Sequence, residues 1–200
     1  MRNICGVLLA AGESRRMGFP KALLRIGNET YLQHLAATML TSVDHLVIVL
    51  GAHIERIRLT VPQDTRLTVA ENRNYRRGQL SSLKVALRQV GDVSAVMMHL
   101  IDHPRVKRET FRAVVEQYEH TGKPIVIARY NGRRGHPVLF DRSLFGELLA
   151  APEDQGARVV VNADPSRIAY CDVDDEGIVQ DLDTPADVVR AGLAEPQTKA

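Results

Sequence analysis

The sequence predicts an α/β fold, a Rossmann-like three-layer αβα sandwich built on a mostly parallel sheet with a mixed edge. Two observations lead to this prediction. Continuous apolar runs of strand length recur up to about residue 130, as is typical of parallel strands covered on both faces. Segments with apolar residues at helical spacing separate these runs, and such alternation favours parallel strands joined by right-handed crossovers.

Five buried strands are predicted before about residue 130. The first begins at Ile4 and leads into a loop of small residues, which leaves room for a ligand at its carboxyl end. The other runs are too continuous for a sheet with one face in water, so they indicate a sheet that is covered on both sides. These runs are residues 45–50, 67–70, 95–100 and 124–128.

Helices are predicted between and after the strands. Thr30 is a suitable N-cap for a helix that ends near residue 40, because its hydroxyl can accept a bond from a free backbone N–H. Ser81 or Ser82 takes the same role for a helix that ends near residue 90. Thr184, followed by Pro185, begins the last helix. Further helices are predicted at residues 110–118, 144–149 and 156–161, and further strands at 138–140 and 168–173.

Composition and charge exclude several classes of function. The formal net charge is +2 and there is no Trp, so we expect neither bulk attraction to nucleic acid nor a stacking platform for single strands. No apolar run reaches the ~18 residues that a membrane span needs, so no membrane partner is expected. Cys5 and Cys171 lack metal-ligand spacing and are expected to be the reduced thiols of a cytoplasmic protein.

The loop after the first strand has the chemistry of a phosphate-binding site. Its small residues 10–12 let a ligand approach the backbone, and exposed amides in such a turn attract phosphate oxygens. Arg15, Arg16 and Lys21 add cations at the same place, and arginine can grip phosphate through two parallel hydrogen bonds. The G-x-G-x-x-G fingerprint is absent, and the glycine spacing and the position of Lys21 do not fit a P-loop.

Residues 9–21 read L-A-A-G-E-S-R-R-M-G-F-P-K. This stretch resembles the signature L-A-A-G-x-S-x-R-M-G-x-x-K of nucleotidyltransferases that act on the molybdenum cofactor, the cytidylyltransferase branch in particular. The resemblance runs from about residue 4 to residue 193 and implies a fold like that of nucleotide-diphospho-sugar transferases. We expect one NTP-transferase domain at 1–194, with a nucleotide-binding half at about 1–105, an acceptor-binding half at about 106–194 and a frayed tail at 195–200.

Two carboxylates are candidates for a metal site. Asp102 follows the run 95–100, so it lies at the same end of the sheet as the phosphate loop, and Mg²⁺ uses one or two carboxylates together with substrate phosphates. The residues alone also fit a turn at Asp102 and a helix cap at Asp183 or Thr184. The resembled family has Asp-x-Pro and Asp-x-Asp-Thr-Pro elements here. They imply Asp102 and Asp183 as Mg²⁺ ligands, with Asp181 as the alternative to Asp183.

The resemblance also assigns residues to the two substrates. A Gly-x-x-x-Ser-Leu element lies over the nucleobase in the family and implies contacts from Ser81 and Ser82, although both also fit as helix caps. A Gly-His-Pro element on the acceptor side implies His136, which fits an ordinary strand-edge histidine equally well. Glu153 stands where the family has a glycine, so the identity of the acceptor stays open. The implied nucleotide-binding residues are Leu9, Ala10, Ala11, Gly12, Arg16, Lys21, Ser81 and Ser82, and the acceptor-binding residues are Arg133, Arg134 and His136.

The implied reaction is transfer of CMP from CTP to the phosphate of molybdopterin or the molybdenum cofactor, with Mg²⁺ as cofactor and pyrophosphate as product. Arg16, Lys21 and Asp102 are the implied catalytic residues, because cations stabilise the leaving group and the carboxylate holds the metal. CTP is favoured since the guanylyl branch usually has Ala-Gly-Gly at residues 10–12, and the methyl group of Ala11 crowds a purine. A molybdoenzyme or its chaperone is considered as a protein partner.

Other functions fit part of the sequence. A guanylyltransferase, or a nucleotidyltransferase for another small phosphorylated acceptor, uses the same residues. A non-catalytic NTP-binding chaperone that delivers the cofactor needs the phosphate loop but not the metal ligands. Both Asp102 and Asp183 are present, which favours an enzyme over such a chaperone. A nicotinamide-dependent oxidoreductase is disfavoured by the missing glycine fingerprint.

Overall fold

The computed structural model describes residues 3–193. The strands in this part of the chain are β1 (Ile4–Ala10), β2 (Arg25–Ile26), β3 (Glu29–Thr30), β4 (His45–Leu50), β5 (Leu67–Glu71), β6 (Ala95–Leu100), β7 (Ile125–Tyr130), β8 (Arg133–Asp141) and β9 (Ile168–Asp172). The α-helices are α1 (Tyr31–Met39), α2 (Ile54–Arg58), α3 (Gln79–Leu87), α4 (Arg108–Thr121), α5 (Phe145–Ala150), α6 (Arg158–Ala163) and α7 (Pro185–Arg190).

Seven strands form one sheet in the order β5-β4-β1-β6-β8-β7-β9, and β2 and β3 pair separately as a hairpin. Strands β5, β4, β1 and β6 are parallel neighbours. Strand β8 runs antiparallel to both β6 and β7, and β9 is parallel to β7. The predicted α/β class with a mostly parallel sheet and a mixed side is confirmed. Because β1 and β6 are adjacent and parallel, the loop after residue 10 and Asp102 lie at the same end of the sheet.

The sheet is covered on both faces, which gives three layers. Alternate residues of β1 point to opposite faces, so Leu8 joins one apolar cluster and Val7 joins another. The first cluster contains the apolar faces of α1, α2 and α4, and the second contains those of α3, α5 and α6. Both faces of the central strands are therefore buried, as the continuous apolar runs predict.

A third apolar cluster packs the loop at residues 11–20, the predicted phosphate loop, against the C-terminal segment. Met17, from the loop, is only 2% exposed and packs with Tyr31 from α1 and Val188 from α7. Thr184 caps α7 by accepting a bond from the Asp187 backbone N–H, while the Asp187 side chain accepts from the Thr184 backbone. This reciprocal capping box confirms the predicted start of the helix and holds the preceding residues at the site.

The predicted helix starts are confirmed for α1 but are wrong for α3. Thr30 accepts from the Gln33 backbone N–H and completes a capping box. Helix α3 begins after Gly78, which has a φ of 99°, so Ser81 and Ser82 lie inside the helix instead of capping it. Glycine adopts that conformation without strain and ends the preceding turn. The short α2 and the β2–β3 hairpin were not predicted, because elements this short carry little periodicity.

The predicted division at about residue 105 stays a prediction, and the tail at 195–200 lies outside the described residues. Between residues 3 and 193 no helix combines the length and apolar character that crossing a bilayer requires.

Candidate functional site

The phosphate loop is held in place by its own hydrogen bonds and by β4. The backbone N–H groups of Met17 and Gly18 both donate to the Ser14 carbonyl, at 3.0 and 3.1 Å. The Ala52 N–H donates to the Ala11 carbonyl at 3.0 Å, and a Cβ on Gly51 would lie only 2.8 Å from that same oxygen. Glycine at 51 therefore lets the end of β4 approach the loop closely, which fixes where the small residues of the loop lie.

Two cations and two carboxylates meet at the carboxyl ends of β1 and β6. Lys21 Nζ lies 2.5 Å from Asp183 Oδ1 and 3.6 Å from Asp102 Oδ2. Arg16 Nη2 lies 2.8 Å from Asp183 Oδ2. The structure thus brings together four of the predicted site residues, although 162 positions separate Lys21 from Asp183 in the chain.

The electrostatics of this cluster favour an ionised Asp183. Partial burial by itself would raise the pKa of this carboxyl, but the hydrogen bond from Lys21 and the charges of Lys21 and Arg16 outweigh it. The net result is a pKa below the usual range for aspartate. Asp183 therefore stays ionised to a lower pH than an ordinary aspartate.

Asp102 is placed to contact a further ligand. The Leu182 N–H donates to the Asp102 carbonyl at 2.8 Å, and this bond holds the segment before α7 against the end of β6. The Asp102 Oδ1 atom is buried and has no hydrogen-bond partner, a state that costs free energy unless a ligand satisfies it. The described residues contain no cluster of three or more His, Cys, Asp or Glu side chains that could hold a metal by themselves. A pair of carboxylates with an unsatisfied oxygen fits Mg²⁺, which takes its remaining ligands from phosphate and water.

A cleft of about 300 Å³ lies beside this cluster. Of the two serines predicted to contact the nucleotide, Ser82 lines the cleft and Ser81 does not. The Ser81 hydroxyl instead donates to the Gly78 carbonyl at 2.8 Å and accepts from Asn72, so it is used within the fold. Tyr75 and Gln79 also line the cleft and were not predicted. The predicted residues that line it are Leu9, Ala10, Ala11, Gly12, Arg16, Lys21, Ser82, Asp102 and Asp183.

A second, larger cavity of about 930 Å³ crosses strand β8. It contains the three predicted acceptor residues. Its floor is apolar and includes Met98 and Phe140, whereas its rim is rich in arginine. The arginines of this lining that were not assigned from the sequence are Arg76, Arg77 and Arg158. Adjacent arginines beside Gly78 were visible in the sequence, but only the fold shows that they face the antiparallel strand.

Some of the arginine side chains around the larger cavity already contact other protein side chains. Arg134 stacks on the Tyr170 ring, with its Cζ 5.1 Å from the ring centroid, and donates to the Tyr170 hydroxyl. Arg77 Nε lies 3.4 Å from Glu153 Oε2, and both residues line the cavity. Arg133 and Arg134 are both exposed. Because Arg134 is engaged with Tyr170, Arg133 is the more readily available of the two predicted phosphate contacts.

Three histidines pack between the large cavity and the core. The ring centroids of His103 and His136 are 5.5 Å apart, and that of fully buried His99 lies 6.2 Å from His103 and 6.4 Å from His136. Burial, followed by the charge of His103, lowers the pKa of His136 to about 3. His136 is therefore neutral at physiological pH and can act as a hydrogen-bonding group in the cavity.

The two cavities share a wall. Gly78 and Gln79, at the start of α3, line both of them, while Asp102 and Asp183 line the smaller and His103 and Asp181 the larger. Ligands in the two cavities would therefore be neighbours, with the charged cluster close to their junction. This arrangement suits transfer of a group from one bound molecule to another.

Residues 6–168 match the family described as the MobA-like NTP transferase domain. The chain is 30% identical over 191 residues to nicotine blue oxidoreductase of Paenarthrobacter nicotinovorans, covering 90% of this chain and 92% of that protein. It is 24% identical over 192 residues to molybdenum cofactor cytidylyltransferase of Escherichia coli (strain K12), covering 96% of each. A solved structure of Rv0371C from Mycobacterium tuberculosis, in complex with manganese, has a TM-score of 0.75 and 29% identity, covering 95% of this chain and 97% of that one. The chain belongs to the MobA-like NTP transferase family and is a nucleotidyltransferase.

Proposed function

We propose that this protein transfers CMP from CTP to the phosphate of molybdopterin or the molybdenum cofactor and releases pyrophosphate. The observation that supports this most is the convergence of Arg16, Lys21, Asp102 and Asp183 at the junction of two cavities. The relative named molybdenum cofactor cytidylyltransferase supports the same acceptor and nucleotide. We expect the reaction in the cytoplasm, with a molybdoenzyme or its chaperone receiving the product.

The smaller cleft is proposed to hold the nucleotide. Leu9 to Gly12 and Ser82 bound the base and ribose, whereas Arg16 and Lys21 bind the phosphates and stabilise the charge on the leaving pyrophosphate. Ala11 is 5% exposed and its carbonyl is fixed by Ala52. The methyl group of Ala11 therefore cannot easily withdraw from the base, which supports a pyrimidine over a purine. Ser81 has weaker support than Ser82 as a contact.

Asp102 and Asp183 are proposed to hold Mg²⁺. When bound, the metal supplies charge neutralisation at the phosphoryl group that is transferred. The two carboxylates fit this ion by chemistry, and the manganese complex of the related Rv0371C supports a divalent cation. Asp181 lines the larger cavity while Asp183 lines the cleft, which supports Asp183 as the second ligand.

The larger cavity is proposed to hold the acceptor. Arg133 and Arg134 bind the phosphate of the acceptor. Neutral His136 forms a hydrogen bond with a polar edge of the acceptor, either donating or accepting that bond. A phosphate nucleophile is already an anion, so no strong general base is needed. Catalysis then consists of positioning the two phosphates and neutralising their charge.

Thermal stabilisation tests the nucleotide and metal assignments. CTP, GTP, ATP and NAD are added to the native protein with and without Mg²⁺, because a ligand that binds only the folded state raises its stability. We expect the largest shift with CTP and Mg²⁺, and a reduced shift in Asp102→Ala. Asp92→Ala is the matched control, since Asp92 precedes β6 and its side chain is fully exposed. Pyrophosphate release from CTP in the presence of molybdopterin then tests the reaction.

Each outcome points to a definite function. A preference for GTP moves the assignment to a guanylyltransferase, and binding of CTP without turnover favours a non-catalytic chaperone. The relative named nicotine blue oxidoreductase makes an oxidoreductase the second candidate. The absence of G-x-G-x-x-G after β1 argues against it. Stabilisation by NAD but by no triphosphate would overturn the proposal in its favour.

A further inference from the structure

Lys21 is the buried cation of the site. It is 7% exposed, and its backbone N–H donates to the Ser14 hydroxyl at 3.1 Å. Residues 21–23 form a short 3-10 helix, so the backbone of Lys21 is held by regular structure. Any movement of its ammonium group must therefore come from the four rotatable bonds of the side chain.

The ammonium group lies where a metal that uses both carboxylates would have to contact them. It is 2.5 Å from Asp183 Oδ1 and 3.6 Å from Asp102 Oδ2. Two cations that share these oxygens repel each other strongly, because close charges in a partly buried site are poorly screened. Lys21 thus supplies a positive charge to both carboxylates at the place where the proposed metal would bind.

We propose that Lys21 and a divalent cation compete for Asp102 and Asp183, so that the metal binds tightly only after a triphosphate has drawn the ammonium group away. This inference rests on the proposed function, since it needs the metal to use these two carboxylates. It assigns Lys21 a second role beside stabilising the leaving group: Lys21 keeps the metal site closed until the nucleotide arrives.

The cleft explains why a triphosphate moves Lys21. Lys21 lines the same cleft as Gly12 and Ser14, at the phosphate loop. A triphosphate there offers several anionic oxygens in place of the two carboxylates that Lys21 contacts. When Lys21 leaves, Asp183 keeps its contact with Arg16, whose Nη2 atom lies 2.8 Å from Asp183 Oδ2. The metal would then satisfy the Asp102 Oδ1 atom, which is buried, accepts no hydrogen bond and has only the His103 ring nitrogen at 3.8 Å beside it.

Mn²⁺ binding without nucleotide tests the competition. Free Mn²⁺ is measured by electron paramagnetic resonance in titrations of the native protein, Lys21→Met and Arg16→Met. Arg16→Met is the matched control, because Arg16 pairs with the same carboxylate but its side chain is 71% exposed. We expect Lys21→Met to bind Mn²⁺ about tenfold more tightly than the native protein. For Arg16→Met we expect the affinity for Mn²⁺ to rise by less than about threefold. Lys21→Gln is a second variant in case the first folds poorly.

The results separate failure of this inference from failure of the metal assignment. Equal Mn²⁺ affinity of the native protein and Lys21→Met, with binding lost in Asp183→Asn, would overturn the competition but leave the metal site intact. No Mn²⁺ binding in any variant, even with a non-hydrolysable CTP analogue, would overturn both. Equal tightening in Lys21→Met and Arg16→Met would show a general charge effect and would also overturn the competition.

Discussion

The two cavities differ in how the chain builds them. The cleft of about 300 Å³ takes much of its lining from one contiguous loop that follows β1. The cavity of about 930 Å³ gathers its lining from α3, β8, α6 and the segments between them. A contiguous loop fixes its residues relative to one another by local hydrogen bonds, whereas the larger cavity depends on how distant segments pack. The geometry of the cleft, proposed to bind the nucleotide, is therefore set more locally than that of the cavity proposed to bind the acceptor.

The charges differ as well. In the cleft, Lys21 and Arg16 are paired with carboxylates at distances of 2.5 and 2.8 Å. Around the larger cavity, Arg133 and Arg134 are both exposed, and Arg134 also stacks on the Tyr170 ring. We infer that the cleft controls the rate of transfer and that the cavity controls the affinity for the acceptor. Variants on each side test this difference.

The largest expected effect is that of Lys21→Met on turnover. Removal of one preorganised cation from the site should lower kcat by about 10²–10³-fold. The same variant is expected to bind Mn²⁺ more tightly, so rate and metal affinity should move in opposite directions. Lys123→Met is the control, because Lys123 is exposed and donates to the Ser166 carbonyl, away from the cleft. Normal kcat in Lys21→Met, measured by pyrophosphate release, would contradict the role of this residue in the transfer.

A smaller effect is expected on the acceptor side. Arg133→Met should raise the KM for molybdopterin about tenfold, because one charge-assisted hydrogen bond is lost. Arg134→Met should have less effect, since the Tyr170 contacts must break before that arginine can bind a phosphate. Both variants should leave the KM for CTP unchanged in steady-state kinetics. An effect on CTP equal to that on the acceptor would break the proposed division between the cavities.

The smallest effect is expected from two adjacent serines. Both hydroxyls accept from Asn72 at 2.9 Å, so Ser81→Ala and Ser82→Ala should each destabilise the fold by about 1 kcal/mol in chemical denaturation. Only Ser82 lines the cleft, so Ser82→Ala alone should raise the KM for CTP, by about two- to tenfold. A higher KM in Ser81→Ala and not in Ser82→Ala would reverse the assignment of these residues.

The sequence predicts best those features that depend on neighbouring residues. The bounds of β4 and β6 are as predicted, because a buried strand leaves an uninterrupted apolar run. The capping boxes of α1 and α7 likewise depend on residues three positions apart. The start of α3 was predicted wrongly because the helix begins directly after Gly78 without a side-chain cap, so both serines lie inside it and accept from Asn72.

The candidate site shows the same limit. The motifs selected the loop after β1 and both aspartates as candidates, but no pattern in the sequence indicates that Lys21 contacts Asp183 across 162 positions. The arginines at 76, 77 and 158 line the larger cavity because the fold brings the start of α3, strand β8 and the start of α6 together. Contacts between residues far apart in the chain thus complete the site, and local motifs do not indicate them.

The wall that Gly78 and Gln79 give to both cavities has a consequence for the stereochemistry of the proposed reaction. Donor and acceptor can be bound together on either side of it, so a single displacement at the α-phosphorus requires no nucleotidylated protein in between. One in-line displacement inverts the configuration at phosphorus, whereas two successive displacements would restore it. A nucleoside triphosphate with a chiral thiophosphate at the α position should therefore give a product whose configuration at phosphorus is inverted.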